Sequence, residues 1–412
     1  MPKFAPQHGL STIAIQAEEA DNPHYAHIAP LYQTATFLFP DVETGQRIFQ
    51  QEEPGFYYSR IGNPNEQQLA KKISILEGID LIRQQPDRPV DEIVAGKLFA
   101  SGMAAITTTL LARCKPGDGI LAQTTLYSHT FRFLSDVAPR YGVGVTWVED
   151  PSPERWEAAF KASPEVVLVY LETPANPTLT VVDLTPIIEL AHQYGAWVMV
   201  DNTFASPYCQ RPLTLGADIS VHSTTKYLSG HGLVVGGAVI SRHPGFIHGD
   251  LQQAATLYGG IPSPYDTWLT NIGLKTFGIR MKQHCENAMA VAQYLSVHPK
   301  ITRVHYPGLP DFPSHAIACK QMAHFGGMLS FELKGGYRAG EGLMNRLKLI
   351  SLAVSLGNVD SLIQHPASMT HHNLSPEDRE RMGIREGLVR FSVGLEDIED
   401  ILDDLSQGLA RV

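Results

Sequence analysis

The sequence predicts an α/β protein: a large domain built on a mostly parallel β-sheet, followed by a smaller C-terminal α/β domain. Short runs of Val, Ile and Leu recur between residues 97 and 241, and helical segments separate them. The runs are nearly continuous rather than alternating, which is typical of strands covered by helices on both faces. The length of 412 residues and the hydrophobic content of 43% allow two or three domains with sizeable cores.

The elements of the large domain follow in order along the chain. The candidate strands are Lys97–Ala100, Gly119–Gln123, Gly144–Val148, Val166–Leu171, Trp197–Val200, Ile219–His222 and Val234–Ser241. Helices are predicted to begin near Met103, Thr130, Pro153 and Pro186. Ligands of such sheets bind beyond the carboxyl ends of the strands, so polar residues at those ends are the first candidates for a functional site.

The rest of the chain divides into two further parts. Residues 1–64 show weak periodicity and many prolines, so we expect an arm that contacts a neighbouring subunit; a loosely ordered tail is the alternative. The large domain is assigned to residues 65–270, and the C-terminal domain to residues 271–412. The latter is predicted to contain a helix from Leu274 to Leu295, strands at Met328–Leu333, Leu352–Val354 and Leu388–Ser392, and a last helix from about Asp397.

Composition argues against several classes of function. The 42 acidic residues outnumber the 32 basic ones, and the net charge of −10 disfavours a nucleic-acid or anionic-membrane partner. The apolar stretches fall far short of the ~20 residues of a membrane span, and residues 1–21 lack a signal pattern. The four cysteines form no CxxC pair and no HExxH motif occurs. We therefore expect a cytoplasmic protein without a disulfide framework or a metal.

Three strand ends carry residues suited to chemistry. Asp201 follows a buried strand, although an aspartate there is also a common helix N-cap. Lys226 follows the next strand and is preceded by the hydroxyls of Ser223 and Thr225; alone, it reads as an ordinary exposed lysine. The turn Ser101–Met103 opens a helix whose free N–H groups suit a phosphate, but alone it reads as a plain strand-to-helix connection.

Together, a phosphate cradle, a buried carboxylate and a lysine on strand ends match the requirements of pyridoxal 5′-phosphate (PLP). A lysine amine can bond covalently to the PLP aldehyde. A carboxylate can keep the pyridine nitrogen protonated, so that the ring withdraws electrons from a bound substrate. The combination is much more specific than any of its parts, and it predicts a PLP enzyme.

The motifs resemble those of the Cys/Met-metabolism PLP-dependent enzymes, the trans-sulfuration family. The matching blocks are Tyr58-Ser59-Arg60, Gly62-Asn63-Pro64, Ser101-Gly102-Met103, Leu126-Tyr127, Glu172 to Pro177, Asp201-Asn202-Thr203, Ser223 to Tyr227, Ser355-Leu356-Gly357, His365 to His371 and Arg390 to Glu396. They occur in the family's order and span nearly the whole chain. The resemblance implies the fold type I, aminotransferase-like arrangement, with PLP bound in the domain of residues 65–270.

The resemblance also implies a role for each matching residue. Lys226 would hold PLP and move protons, Tyr127 would stack on the ring and protonate the leaving group, and Asp201 would pair with the pyridine nitrogen. PLP would also be bound by Gly102, Met103, Asn176, Ser223 and Thr225 of one subunit, and by Tyr58 and Arg60 of a neighbouring subunit. The substrate carboxylate would be bound by Ser355 and Arg390. The active unit would then be a homodimer, and two dimers would form a tetramer.

Within the family, three blocks of the sequence are most similar to methionine γ-lyases: residues 353–357 around Val354, residues 362–371 and residues 278–287. This similarity implies γ-elimination of L-methionine or homocysteine to 2-oxobutanoate, ammonia and a thiol. A sulfur amino acid is the implied substrate, because an apolar Val354 suits a thioether better than a second ammonium group.

Three positions depart from the methionine γ-lyase pattern. Those enzymes carry a cysteine where this chain has His129, and a Lys-Asp pair where it has Ala255 and Thr256. The departures favour the alternative function, a γ-replacement transferase such as an O-acylhomoserine sulfhydrylase or cystathionine γ-synthase. His129 itself either carries protons or only hydrogen-bonds within the pocket. A non-catalytic PLP-binding protein is the third hypothesis, which the intact catalytic residues oppose.

Overall fold

The computed structural model describes residues 4–19, 22, 24–372 and 374–412. Residues 1–3, 20, 21 and 23 of the predicted arm lie outside the described residues. The larger of two β-sheets contains β1 (Ala95–Phe99), β2 (Gly119–Gln123), β3 (Gly144–Val148), β4 (Val166–Glu172), β5 (Trp197–Asp201), β6 (Ile219–His222) and β7 (Gly237–Ser241). All seven strands were predicted: the bounds of β2, β3 and β6 are exact, and the ends of the others differ by at most three residues.

The larger sheet is mostly parallel, as predicted. Its strand order is β1-β7-β6-β5-β4-β2-β3, and β7 runs antiparallel to both of its neighbours. The other six strands run in one direction, so their carboxyl ends lie along one edge. Glu172 and Asp201, the last residues of β4 and β5, are directly paired in register at that edge. The strand predicted from Val234 begins only at Gly237.

The smaller sheet contains β8 (Ile301–His305), β9 (Met328–Leu333), β10 (Ser351–Leu352), β11 (Leu362–Gln364) and β12 (Leu388–Ser392), in the order β10-β11-β12-β9-β8. In this sheet β10 and β11 pair in parallel, whereas β11 with β12, β12 with β9 and β9 with β8 pair antiparallel. The sequence predicted β9 and β12 correctly. It missed β8, whose central residues Thr302 and Arg303 are exposed, and the three-residue β11. The strand predicted to reach Val354 ends at Leu352.

Helices cover both faces of the larger sheet. The first nine are α1 (Leu10–Gln16), α2 (Val42–Phe49), α3 (Pro64–Gln84), α4 (Val90–Ile93), α5 (Gly102–Arg113), α6 (Ser128–Arg132), α7 (Pro153–Ala162), α8 (Leu184–Gln193) and α9 (Ser206–Cys209). The others are α10 (Pro244–Phe246), α11 (Gln252–Tyr258), α12 (Pro264–Leu274), α13 (Phe277–Ser296), α14 (His315–Gln321), α15 (Gly336–Met344), α16 (Pro376–Arg381) and α17 (Ile398–Leu409). Among the described residues, none of these helices has both the length and the apolar character that crossing a bilayer requires.

The predicted helix starts near Met103, Thr130, Pro153, Pro186 and Asp397 agree with α5, α6, α7, α8 and α17 to within two residues. The long helix predicted from Leu274 to Leu295 was wrong at its start, because Leu274 ends α12 and a new helix, α13, begins at Phe277.

The largest departure from prediction lies around residue 64. Helix α3 was not predicted, because it is buried on several faces and shows no single apolar stripe. Asn63 caps it by accepting a hydrogen bond from the N–H of Asn65, and Pro64 occupies its first position. The buried Ile13 and Ala14 place α1 against α3 and α13 of the same chain. The beginning of the expected arm therefore packs on its own chain.

Candidate active site

A cavity of about 710 Å³ lies between the carboxyl edge of the larger sheet and the loops of the smaller one. Ten of the twelve predicted site residues line it: Gly102, Met103, Tyr127, Asn176, Asp201, Ser223, Thr225, Lys226, Ser355 and Arg390. Tyr58 and Arg60 do not. The sequence therefore predicted most of one coherent site from residues that are as far apart as 102 and 390 in the chain.

One end of the cavity is suited to a phosphate. Gly102 and Met103 begin α5, and N–H groups in a first helical turn have no partner within the helix. A Cβ atom at Gly102 would lie only 2.9 Å from the Cβ of Ser223, so glycine permits the close approach of α5 to the segment after β6. In that segment the Thr225 hydroxyl accepts a hydrogen bond from the N–H of Gly236 at 2.9 Å.

Asp201 provides a buried carboxylate at the end of β5. It accepts hydrogen bonds from the N–H of Thr203 at 3.0 Å and from the hydroxyl of Tyr170 at 3.4 Å. Burial raises the pKa of Asp201, and both of these donors are neutral. A buried carboxylate in such surroundings gains most from a cationic N–H partner, as a protonated pyridine nitrogen would be.

Lys226 projects into the cavity from the segment after β6. Its Nζ donates a hydrogen bond to the Ser355 hydroxyl at 2.9 Å. Burial, with a smaller contribution from the positive charge of Arg390, lowers the pKa of Lys226 to about 8. At that pKa about one amine in ten is neutral at pH 7, far more than for a free lysine, so the group is suited to nucleophilic attack on an aldehyde.

Arg390 lies on β12 and is almost fully buried. It donates hydrogen bonds to the side-chain oxygen of Asn176 at 3.0 Å and to the carbonyl of Ser355 at 2.7 Å. With its amide oriented to satisfy its neighbours, Gln364 accepts a third bond from Arg390 Nε at 3.0 Å. Burial lowers the pKa of Arg390 to about 10, which leaves it charged at neutral pH. A fixed guanidinium of this kind can bind a carboxylate.

Tyr127 precedes α6 at the rim of the cavity. Its ring lies beside that of His129, with centroids 5.1 Å apart and planes tilted by 32°. Burial raises the pKa of Tyr127, the negative charge of Glu172 raises it further, and Arg390 opposes both. The phenol is therefore protonated at neutral pH and can donate a proton.

Sequence reasoning gave Glu172 no role, yet it lies at the centre of the site. One carboxylate oxygen accepts from the N–H of Tyr127 at 2.8 Å, and the other from the N–H of Asn176 at 2.7 Å. Burial and then Asp201 raise the pKa of Glu172 to about 8. An acidic residue directly after the apolar run of β4, as Asp201 follows that of β5, was the signal that could have found it. Thr203, His129 and the loop residues 368–370 and 372 also line the cavity.

Tyr58 and Arg60 lie outside the cavity of their own chain. Both are exposed, and the Arg60 guanidinium stacks over the Tyr58 ring at 5.5 Å. Arg60 also donates a hydrogen bond to the carbonyl of Thr256 at 2.6 Å. The two residues that were predicted to act in a neighbouring subunit are thus separated from the other ten.

The residues that line the cavity fit PLP. The start of α5 offers donors for the phosphate, in a space that a side chain at Gly102 would fill. Asp201 offers a buried acceptor for a protonated ring nitrogen, and Lys226 offers an amine of lowered pKa for the aldehyde. This set of groups at the carboxyl edge of a mostly parallel sheet defines a fold type I PLP-dependent enzyme.

Comparison with known proteins gives the family. The family described as Cys/Met metabolism PLP-dependent enzyme matches residues 11–410, and the chain belongs to it. Its cofactor is therefore PLP, and the predicted fold class and family are confirmed.

Individual relatives are similar over nearly their full length. An L-methionine gamma-lyase of Porphyromonas gingivalis is 47% identical over 97% of both chains. A cystathionine gamma-synthase of Mycobacterium bovis is 41% identical, also over 97% of both chains. A crystal structure of cystathionine gamma synthase from Xanthomonas oryzae pv. oryzae, in complex with aminoacrylate and cysteine, superposes with a TM-score of 0.90, at 37% identity over 98% of both chains.

Proposed function

We propose that the chain converts L-methionine or L-homocysteine and water to 2-oxobutanoate, ammonia and methanethiol or hydrogen sulfide. The observation that carries the proposal is the place of Val354, which lines the cavity beside Ser355 and is 56% exposed. It offers an apolar surface to the sulfur end of a substrate whose carboxylate is bound at Arg390. The 47% identity to an L-methionine gamma-lyase supports the same reaction.

Six residues of the cavity would bind the cofactor, and a seventh, Lys226, would also transfer protons. Bound PLP would supply an aldehyde for the substrate amine and a ring that withdraws electrons. Gly102, Met103, Ser223 and Thr225 would bind its phosphate, Asn176 would lie near its ring hydroxyl, and Asp201 would keep its nitrogen protonated. Lys226 would anchor the cofactor, and its neutral amine would take a proton from the substrate and deliver it to another carbon.

The remaining residues would bind the substrate carboxylate and protonate the leaving group. Arg390 would hold the substrate carboxylate, with the Ser355 backbone fixing the guanidinium from one side. Tyr127 would give its phenolic proton to the departing sulfur, because a thiol leaves more readily than a thiolate. The raised pKa of Tyr127 keeps that proton in place until it is needed.

Incubation of the PLP-loaded protein with L-methionine tests the proposal. We expect 2-oxobutanoate and a free thiol in equal amounts, the first measured with a carbonyl reagent and the second with a disulfide reagent. L-norleucine, which has a methylene group in place of sulfur, is the matched control and should release no thiol. Absence of both products from methionine and from homocysteine would show the proposal to be wrong.

The second candidate is a γ-replacement reaction, in which a thiol is added after the leaving group departs. His129 favours it, since this imidazole lines the cavity beside Tyr127 and offers a polar group to a second substrate. The similarity to a cystathionine gamma-synthase supports it as well. Faster consumption of O-acetylhomoserine with sulfide or cysteine than of methionine alone would establish this reaction instead.

We also propose that two chains form the active unit and two such dimers a tetramer. Leu38 and Val42 are 93% and 86% exposed, so residues 24–60 present apolar surface that a second copy could cover. Tyr58 and Arg60 lie on this segment, outside their own cavity, and in a dimer they would reach the phosphate end of the partner's site.

Mixing two inactive variants tests the shared site. In a mixed dimer of Arg60→Ala and Lys226→Ala, one site keeps both residues and the other loses both. We expect about a quarter of the wild-type activity to return after subunit exchange, and light scattering to give a mass of four chains. No recovery from an exchanged mixture would place Arg60 outside the partner's site.

We also propose domain boundaries and a location for the protein. We assign residues 1–64 to the arm, 65–270 to the PLP-binding domain and 271–412 to the C-terminal domain, supported by the two sheets at 95–241 and 301–392. Four free cysteines support a cytoplasmic location. Limited proteolysis tests the boundaries, and fractionation of the source cells tests the location.

A further inference from the structure

Glu172 connects two residues of the site through their backbones. Its two oxygens accept hydrogen bonds from the N–H groups of Asn176 and Tyr127, at 2.7 and 2.8 Å. Tyr127 follows β2, whereas Asn176 follows β4. The Asn176 side chain in turn accepts from the Arg390 guanidinium at 3.0 Å. A single carboxylate thus lies between the group assigned to acid–base chemistry and the group assigned to binding the substrate carboxylate.

The backbone of Glu172 is itself fixed. The side-chain amide of Gln123 accepts from the N–H of Glu172 at 3.2 Å and donates to its carbonyl at 2.8 Å. These bonds hold the end of β4 to the end of β2. Glu172 is only 4% exposed, so the surrounding residues confine its carboxylate to this position. Its place in the sheet therefore determines where the Tyr127 and Asn176 backbones lie.

We propose that Glu172 is a positioning residue for the reaction, which sets the phenol of Tyr127 relative to the Arg390–Asn176 pair. It needs no contact with the substrate to do so. This inference rests on the proposed function, because it assumes the roles given there to Tyr127 and Arg390.

The chemistry of the contact explains why a carboxylate stands here. Two N–H donors point at two oxygens, and a carboxyl group can accept on both. A glutamine of the same shape has one oxygen, so its amide N–H would face either the N–H of Tyr127 or that of Asn176. Burial beside Asp201 raises the pKa of Glu172, and the two N–H bonds oppose that shift. Protonated or ionised, the group has an acceptor on each oxygen, whereas the nitrogen of a glutamine amide accepts no hydrogen bond.

The test compares Glu172→Gln with a matched variant, Glu77→Gln. Glu77 is also fully buried, but its bonds from Ser220, His222 and Asn202 all go to one oxygen, and its other oxygen has no hydrogen-bond partner. Glutamine at position 77 can therefore keep every bond. Both variants remove one buried carboxylate, and only the first loses a bond to the site.

Four quantities are measured on the PLP-loaded variants: kcat, the Kd of L-norleucine from the visible absorbance of the cofactor, PLP content and Tm. In Glu172→Gln we expect kcat to fall about 10- to 100-fold, the effect of misplacing a reacting group by about 1 Å. The Kd should rise several-fold, while PLP content and Tm stay near wild type. Glu77→Gln should keep kcat and Kd within about twofold.

Three results would overturn the inference: an unchanged kcat and Kd in Glu172→Gln, a loss that only follows lost PLP or lost folded protein, or an equal loss in Glu77→Gln. Failure of the proposed function is a separate result. If the wild-type protein turns over no methionine, kcat is measured with whichever sulfur amino acid it accepts. The Kd of L-norleucine tests the positioning role of Glu172 even without turnover.

Discussion

The two walls of the cavity differ in how firmly the fold holds them. The strand-end wall is formed by Gly102, Glu172, Asp201 and Lys226, and the loop wall by residues 354–356, 368–370 and 372. Glu172 and Asp201 are the last residues of paired strands and are both buried. On the loop wall Val354 is 56% exposed, and Ser355 has a φ of 85°, in the left-handed region that favours glycine.

This difference separates two tasks. The groups to which we assign action on the cofactor lie on the wall that the sheet fixes, where a small displacement would lower the rate strongly. Groups that meet the variable end of the substrate lie on loops, which accept substitution more readily than strands. Changes on the strand-end wall should therefore abolish chemistry, whereas changes on the loop wall should redirect or tune it.

The largest expected effect is that of Lys226→Met on turnover. Methionine fills the space but has no amine, so we expect kcat to fall at least about 10³-fold, with no covalently held cofactor. The thiol assay and the visible spectrum measure this. Val354→Ala is the loop-wall control and should keep more than about a tenth of the activity. Comparable losses of activity in both variants would show that the strand-end wall and the loop wall do not differ in their importance for turnover.

Lys226 also makes the stability of the cofactor-free protein depend on pH. Its pKa falls from the ordinary 10.5 to about 8 on folding, because burial disfavours the charged amine. The unfolded chain therefore binds more protons between pH 8 and 10.5, and the free energy of unfolding rises with pH across that window.

Comparison with Lys226→Met isolates this contribution. Below pH 8 the methionine variant should be more stable than the wild type by about 3 kcal/mol, and the gap should close between pH 8 and 10.5. Urea unfolding of both cofactor-free proteins at a series of pH values measures it. A gap that is independent of pH would show that packing, rather than the charge, causes the difference.

Arg390 lies beneath the loop wall but on a strand, so it should behave as part of the fixed machinery. Lysine at this position keeps the charge but cannot bind Asn176 and Ser355 while also presenting a planar fork to the substrate. We expect Arg390→Lys to raise KM for methionine about 10- to 100-fold. Steady-state kinetics measure this, and an unchanged KM would place the carboxylate elsewhere.

Val354 offers the clearest test of redirection. A carboxylate in Val354→Glu would attract the second ammonium group of cystathionine and place a charge beside the methionine thioether. We expect the ratio of kcat/KM for cystathionine to that for methionine to rise about tenfold, equivalent to about 1.4 kcal/mol. Val354→Leu keeps the wall apolar and should leave the ratio unchanged. An equal ratio in both variants would mean that Val354 does not contact the variable end.

The strand-end wall was largely predictable from the sequence. Asp201 and Lys226 follow buried apolar runs, and such runs identify both the strands and their ends without knowledge of their order. Glu172 was missed because its role depends on a hydrogen bond from the N–H of Tyr127, which follows β2 and lies 45 residues away in the chain. Periodicity carries no information on that register.

The loop wall and the arm were less predictable. Ser355 has a φ of 85° and hydrogen-bonds with Lys226 and Arg390, which lie far away in the chain, so local sequence does not indicate this geometry. Helix α3 was missed because it is buried on several sides, so the apolar stripe by which surface helices are recognised is absent. Its capping residues, Asn63 and Pro64, were the signal available in the sequence.

The smallest expected effect measures the strain on the loop wall. A serine in the left-handed region costs of order 1 kcal/mol, a cost that glycine avoids and alanine does not. Because Ser355→Gly and Ser355→Ala both lose the hydroxyl that accepts from Lys226, their difference isolates the backbone. We expect the glycine variant to be more stable than the alanine variant by about 1 kcal/mol, measured by urea unfolding without cofactor.

The same pair of substitutions at Ser223, on the segment that packs against Gly102, provides the comparison. Its φ is in the ordinary negative range, so glycine relieves no backbone strain there. Glycine only increases the conformational entropy of the unfolded chain. There we expect the glycine variant to be less stable than the alanine variant by about 0.5–1 kcal/mol. Opposite signs at the two positions would locate the strain on the loop wall, whereas equal signs would mean that both walls are held alike.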